Sequence, residues 1–438
     1  MFTPTAALVL SGAAALAQQP TIYDLSGNLN PLFQGVLARP SDLDNTQLYA
    51  VTAANGPDTE SAISTYEQLL FYNPMLAATR FNLGVLYYRL HSYEMARGYF
   101  QSALQMSDAT PDLRARAEQY LAAIDKKMLP DQISGFGQTG LAYQTNPGAA
   151  PGPQGLLAAH TTFNSRFFAQ PDWNWFGAGG ANYTHDFGDQ NGDTFEASVL
   201  GYDSQQFKLH QYDIALMELR AGPRFGITEN GADGVTVKPY AIATGSLLAD
   251  RPYNGGVGGG LTAHANVGPV ALDPYVEIVQ QSYRNSALYP LASDLSGTLT
   301  TVGLAASGPV YRGVDTGLGW GARLAYAHDN AGFNPYSYNR YGGDVWLPFT
   351  FSLPGDGRLW TLTPSAGVSY WQFAAPDPNV DPLTTPHTLE WRLALGLDIP
   401  VWNTVTWGML VQYRVDNSNI PVFTMHDLAF IFGPTVKF

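Results

Sequence analysis

Leu428-Ala429-Phe430-Ile431-Phe432-Gly433-Pro434-Thr435-Val436-Lys437-Phe438 decides how the rest of this sequence is read. Its even positions, Leu428, Phe430, Phe432, Pro434, Val436 and Phe438, are all apolar. The odd ones, Ala429, Ile431, Gly433, Thr435 and Lys437, are smaller and more polar. A period of two belongs to an extended strand, because successive side chains of a strand point to opposite faces. The segment therefore reads as a strand with one greasy face, ending on an aromatic residue.

Composition narrows what such a strand can belong to. The 438 residues include no Cys, which excludes disulfides and thiolate metal sites. Only 13% are charged, against roughly 25% in an ordinary soluble domain, while 45 are Gly and 13% are aromatic. No run of ~18 apolar residues follows the opening segment, so spanning helices are not expected. Residues 6–17 form a short Ala-rich run ended by Ala15-Leu16-Ala17, the small-x-small pattern of a secretory leader. The start, Met-Phe-Thr-Pro, lacks the usual Lys or Arg. The net charge of −14 speaks against nucleic acid as a partner. We expect a leader over 1–17, a helical domain over 18–130 and a β-barrel over 134–438.

After residue 130 the alternation recurs. Leu389, Trp391, Leu393, Leu395 and Leu397 share one face, opposite Glu390 and Arg392. Trp407, Met409, Val411, Tyr413 and Val415 oppose Gln412 and Arg414; Met217 and Leu219 oppose Glu218 and Arg220; Leu324 and Tyr326 oppose Arg323. A charge facing lipid at the bilayer midplane costs ~2–4 kcal/mol, so the charged faces are expected to line a lumen. That lining comprises Glu218, Arg220, Arg224, Lys238, Glu277, Arg323, Asp344, Glu390, Arg392 and Arg414. Both signs are present, which allows pairing across the wall.

Tight connections are expected near 228–233, 268–269, 308–313, 354–357 and 400–403, and long ones near 147–172, 204–212, 250–255, 285–296, 328–339, 374–387 and 416–423. Short turns on one side and long loops on the other are the habit of outer-membrane barrels. Fifteen strand-like segments would leave the ends on opposite sides. Residues 160–170 are therefore placed in the first long loop, giving an antiparallel barrel of fourteen strands, with sixteen as the alternative.

Before residue 130 the period changes. Leu83, Gly84, Tyr87, Ala96, Phe100 and Ala103 have the spacing of a tetratricopeptide repeat, and Ala62, Tyr66, Leu69 and Pro74 repeat part of it 34 residues earlier. Gly84 and Ala96 would be small where two helices cross, with Tyr87 and Phe100 filling the space around them. Helices are expected at 41–55, 59–72, 77–89, 93–106 and 111–126, the last as a cap. Asp108 stands where the repeat usually has proline.

A leader, a few repeats and a terminal barrel together resemble Gram-negative outer-membrane proteins, in build above all the surface lipoprotein assembly modifier family. The exopolysaccharide exporters are similar but carry more repeats. The segment Gly140-Leu141-Ala142-Tyr143-Gln144-Thr145-Asn146 partly resembles the Gly-x-x-Tyr-Asp-Ser-Asn opening of such barrels, with Gln144 and Thr145 in place of Asp-Ser. The resemblance implies an outer-membrane translocation or assembly factor with its repeats in the periplasm. Its partners would be membrane lipid, a barrel-assembly machinery reading the strand that ends at Phe438, and a periplasmic client. The alternative is a passive or polysaccharide-conducting channel with the repeats as tether or plug. A recruiting domain is expected to expose aromatics, such as Tyr49, Tyr66, Phe71 or Tyr72.

Catalysis is not expected. No Ser stands at a recognisable spacing to His264, His328 or His387, and Gly-x-Ser-x-Gly and His-Glu-x-x-His are absent. No cofactor or metal is implied. Gly255-Gly256-Val257-Gly258-Gly259-Gly260 reads as a strand where a lumen needs room rather than as a phosphate loop. Trp320, Trp346, Trp360, Trp371, Trp391, Trp402 and Trp407 are expected as interfacial girdle residues. Tyr336 and Tyr338 in a loop could instead stack on sugars.

Overall fold

The computed structural model describes residues 29–39, 42–54, 59–90, 92–151, 169–189, 191–228, 234–313, 315–355 and 357–438. The expected leader and nearly all of 160–170 lie outside these residues. Two compact units divide between Leu129 and Pro130.

The first unit is TPR-like and has six described helices: α1 (Leu29–Ala38), α2 (Leu43–Ala54), α3 (Thr59–Tyr72), α4 (Ala77–Arg89), α5 (Tyr93–Leu104) and α6 (Pro111–Lys127). The five expected helices are present within a few residues. α1 was not expected, because a ten-residue segment without a charged residue has no surface face to betray its period. Packing stabilises it, as short helices require: Val36 enters a core with Tyr49, Ala50, Ala53, Ala62, Tyr66, Leu69, Leu83 and Leu86. A second core holds Phe81, Ala96, Phe100, Ala103, Ala117 and Ile124. α4 feeds both cores and so ties them together. A methyl added at Gly84 would lie 2.8 Å from the Phe100 ring, which is why that position is small. Asp108, in the place of the usual proline, accepts the Ala77 N–H at 3.1 and 3.2 Å and so caps α4 from 31 residues away. Thr110 caps α6 through the Leu113 N–H, with Pro111 at the first helical position.

The second unit is a closed antiparallel barrel of fourteen strands. They are β1 (Asp131–Gln144), β2 (Asp172–Asp186), β3 (Thr194–Gln206), β4 (Ile214–Gly226), β5 (Thr236–Leu248), β6 (Arg251–Val267) and β7 (Val270–Tyr283). β8 (Gly297–Arg312), β9 (Thr316–Ala331), β10 (Tyr338–Trp346, resumed as Phe349–Ser352), β11 (Leu359–Phe373), β12 (His387–Trp402), β13 (Val405–Ser418) and β14 (Met425–Lys437) complete it. Both parts of β10 pair with β9 and β11; the break falls at Leu347-Pro348, where proline has no N–H to give the ladder. Each strand pairs with its neighbours in sequence, and β14 closes on β1 with Leu141 opposite Phe432. Phe438 itself completes the seam, exchanging backbone hydrogen bonds of 3.0 and 3.1 Å with Gly135.

Two expected connections are corrected. The long loop at 250–255 is instead a tight turn, with Ala249 and Asp250 at φ 50° and 60° joining β5 directly to β6. Two successive left-handed residues match the twist of paired strands, and no Gly marks them in the sequence. The turn placed at 308–313 begins later, because β8 runs on to Arg312 through an irregularity between Pro309 and Tyr311.

Candidate functional site: the charged lumen wall

Register fixes which side chains share a face. Glu218 and Arg220 on β4 stand opposite Thr244 and Ile242 on β5, in line with Tyr240 and Lys238. On β12, Glu390 and Arg392 stand opposite Asp416 and Arg414. Glu390 is only 3% exposed, whereas Leu393 and Leu395 on the other face are 57% and 48% exposed. Charges turned in and aliphatic chains turned out reverse the arrangement of a soluble sheet. This is the pattern of an outer-membrane barrel.

The ten expected lumen residues all lie on the inner face, and every one has an ion-pair partner. In the first set Arg220 bonds Glu218 and Glu277, each at 2.7 Å. Glu277 also accepts the Tyr240 hydroxyl at 2.6 Å. Arg224 and Lys238 share Glu196 at 2.9 and 2.8 Å. In the second, Asp344 joins Arg323 at 3.0 Å to Arg392 at 2.6 Å. Arg392 continues to Glu390, which pairs with Arg414 at 3.2 Å, and Arg414 ends on Asp416 at 2.8 Å. The first set, two ion-pair clusters that meet at the Tyr240 ring, and the second set each hold three bases and three acids, so each set is neutral. Their centres, near β5 and β12, are seven strands apart in a ring of fourteen and therefore on opposite walls. Half-buried pairs interact more strongly than surface ones because water screens them less.

Sequence reasoning missed Glu196 and Asp416, the acids that complete these sets, and also Asp329 and Arg340 on the same face. Glu196 carried the signal, standing between Phe195 and Ala197. The signal broke down because Leu200, further along β3, also faces inward.

The girdle expectation is corrected for two tryptophans. Trp371 stands opposite Arg340 and Thr388, and Trp346 opposite Gly321, so both are lumenal. In the glycine-rich stretch, Gly260 lies under the Tyr240 ring. His264 pairs with Asp273 at 2.7 Å and His328 contacts Asn339 at 2.9 Å, while His387 belongs to β12.

In the helical unit Ala62, Tyr66, Leu83, Gly84, Ala96, Phe100 and Ala103 are buried. Tyr87 is half-buried and stacks on Tyr99, ring centres 5.3 Å apart. Both hydroxyls reach Glu67, at 3.2 and 3.5 Å. Burial, then the Glu67 carboxylate, holds both phenols above their usual range. Burial pushes the Tyr66 phenol up to about 12. Of the aromatics expected on the surface, Tyr49 and Tyr66 are instead in the core, because they fill the space between successive helix pairs. Phe71 is 82% exposed, and Tyr72 and Met75 beside it are also exposed.

No protein-family model matches the chain, and no curated protein matches it. Among solved structures, MamA AMB-1 is similar over 23% of this chain at 18% identity and a TM-score of 0.21. The chain spans about half, 52%, of that MamA chain. A bacterial polysaccharide outer membrane secretin is similar over 70% of this chain and 98% of its own, at 10% identity and a TM-score of 0.37. The anion-selective porin from Comamonas acidovorans covers 70% of this chain and 99% of its own, at 10% identity and a TM-score of 0.33. Identities this low bear on fold alone.

Proposed function

We propose that this protein is an outer-membrane conduit whose helical unit, in the periplasm, recruits a client that the barrel helps deliver to the surface. The observation that carries the reading is the joining, in one chain, of a TPR-like unit to a closed barrel whose expected lumen charges are neutralised in pairs. The paired sets add no large net field of their own to the bore.

Size supports passage of a chain rather than of a globule. Fourteen strands about 4.8 Å apart and tilted ~40° enclose a backbone cylinder about 28 Å across. Side chains on both walls leave roughly 16 Å. An extended polymer fits that bore, whereas a folded domain of even 100 residues, with a radius of gyration of about 13 Å, does not. The exposed cluster of Phe71, Tyr72 and Met75 supplies the apolar surface that recruitment requires. No step of this reading is catalytic. The barrel would enter the membrane through assembly machinery that reads its Phe438-terminated strand.

The second reading is a passive or polysaccharide-conducting channel with the repeats as tether or plug, and the lumenal aromatics Tyr240 and Trp371 favour it. Replacing Phe71 and Tyr72 with Ser in the full chain separates the two. Client delivery to the surface should fall while the barrel remains inserted. Unchanged delivery would remove recruitment and leave the passive channel.

A further inference from the structure

Arg340 differs from the six bases of the two paired sets. The six bases Arg220, Arg224, Lys238, Arg323, Arg392 and Arg414 each have a carboxylate within 3.2 Å. Arg340, half-buried on the same face, has neither an ion pair nor a hydrogen bond among the described residues. Its guanidinium lies over Trp371 instead, 5.0 Å from the ring centre.

The wall around it has small residues on one side and aromatic ones on the other. Ala327 stands beside it on β9, with Ala325 and Gly342 one pleat further along, so the residues flanking it there are small. Tyr338 packs against Trp371 with ring centres 4.9 Å apart. From β7, the Tyr275 ring lies over Gly303, where a methyl would overlap it, and Gly303 stands opposite Ala325 on β9. Beyond Tyr338, Asp329 is buried, and its Oδ1 has no hydrogen-bond partner among the described residues. Asp329 does not pair with Arg340. One recess thus combines an uncompensated cation, three aromatic rings and an unused acceptor.

We propose that this recess is a subsite for an acidic sugar, a pyranose ring bearing one carboxylate, within a polysaccharide strand in the lumen. Arg340 takes the carboxylate through a charge-assisted hydrogen bond, and the C–H faces of the ring lie against Trp371, Tyr338 and Tyr275. The inference rests on the barrel being a conduit and names the class of polymer it suits. An acidic peptide would use the cation but not three flat rings.

Current through single full-length proteins in a planar bilayer tests it. The probes are oligogalacturonate, a neutral maltooligosaccharide of equal length, and oligoglutamate. Oligogalacturonate should block the current at concentrations where the other two do not. Arg340→Gln should weaken that block about 10- to 100-fold, the value of one charge-assisted hydrogen bond. Arg340→Lys should restore part of it, and heat-modifiable gel mobility verifies that both variants are folded barrels. Equal block by the neutral sugar or by oligoglutamate, or an unaltered block in Arg340→Gln, would overturn the subsite while leaving the conduit intact. A protein that passes no current fails as a conduit. Calorimetry with oligogalacturonate then decides the subsite alone: Arg340-dependent binding supports it, and no binding overturns it.

Discussion

Gly84 offers a test of helix packing whose sign depends on a second residue. In an isolated helix, Gly→Ala is favourable by about 1 kcal/mol, because alanine gives up less backbone entropy. Here the new methyl would lie 2.8 Å from two carbons of the Phe100 ring. That ring cannot step aside. It is stacked on Tyr120 at 4.9 Å and held against Phe81 at 5.5 Å. Overpacking of this kind costs about 1–3 kcal/mol, so Gly84→Ala should destabilise the helical unit by up to ~2 kcal/mol net. Phe100→Leu removes the ring and by itself costs roughly 1–2 kcal/mol for the lost packing. In that background the clash is gone, and Gly84→Ala should stabilise by about 1 kcal/mol. Urea unfolding of the full chain in detergent, followed by helical circular dichroism, gives all four corners of the cycle. Effects of Gly84→Ala with the same sign in both backgrounds, additive within about 0.5 kcal/mol, would refute the argument that this ring dictates the glycine.

Other expectations follow from the same contacts. The Tyr66 phenol is held up at about 12 by burial, so the fold favours its neutral form. Its contribution is complete below about pH 10 and is lost as pH rises through about 12; near pH 11 the helical unit should be weaker by about 1.4 kcal/mol, and Tyr66→Phe should remove that component from an alkaline titration of unfolding. Asp108→Ala should cost about 1 kcal/mol by uncapping α4, seen as a lower urea midpoint of the helical signal, with Asp108→Asn in between. Leu393→Arg should destabilise the membrane-inserted barrel by about 2–4 kcal/mol, whereas Arg at the adjacent lumenal Ala394 should be tolerated, as read from unfolding in lipid vesicles. Glu390→Gln should cost about 2–3 kcal/mol, because Arg392 and Arg414 both lose a buried partner, visible as a lower melting temperature of the heat-modifiable band.

The faces of individual strands were legible in advance. Leu389 to Leu397 and Trp407 to Val415 announce their pleat through alternation alone, because side-chain direction in a strand is local. The tetratricopeptide spacing around Gly84 and Ala96 was equally visible, since helix crossings recur at fixed intervals. α1 was not visible, as its ten residues become a helix only by setting Val36 against α2 and α3. The turn at Ala249 and Asp250 was hidden because alanine does not advertise a left-handed backbone and no glycine follows Asp250.

For the lumen, alternation chose ten charged residues and placed them on the inner face, but it could not say which would meet. Pairing depends on register between segments far apart in sequence, such as Asp344 and Arg392, which are 48 residues apart. The same register turns Trp371 inward and leaves Arg340 without a carboxylate. The sequence by itself determined which way the cleanly alternating strands face, a property of neighbouring residues on one pleat. Only the tertiary structure decided which charges neutralise one another and which stands alone, because that is settled by the alignment of distant segments around a closed ring.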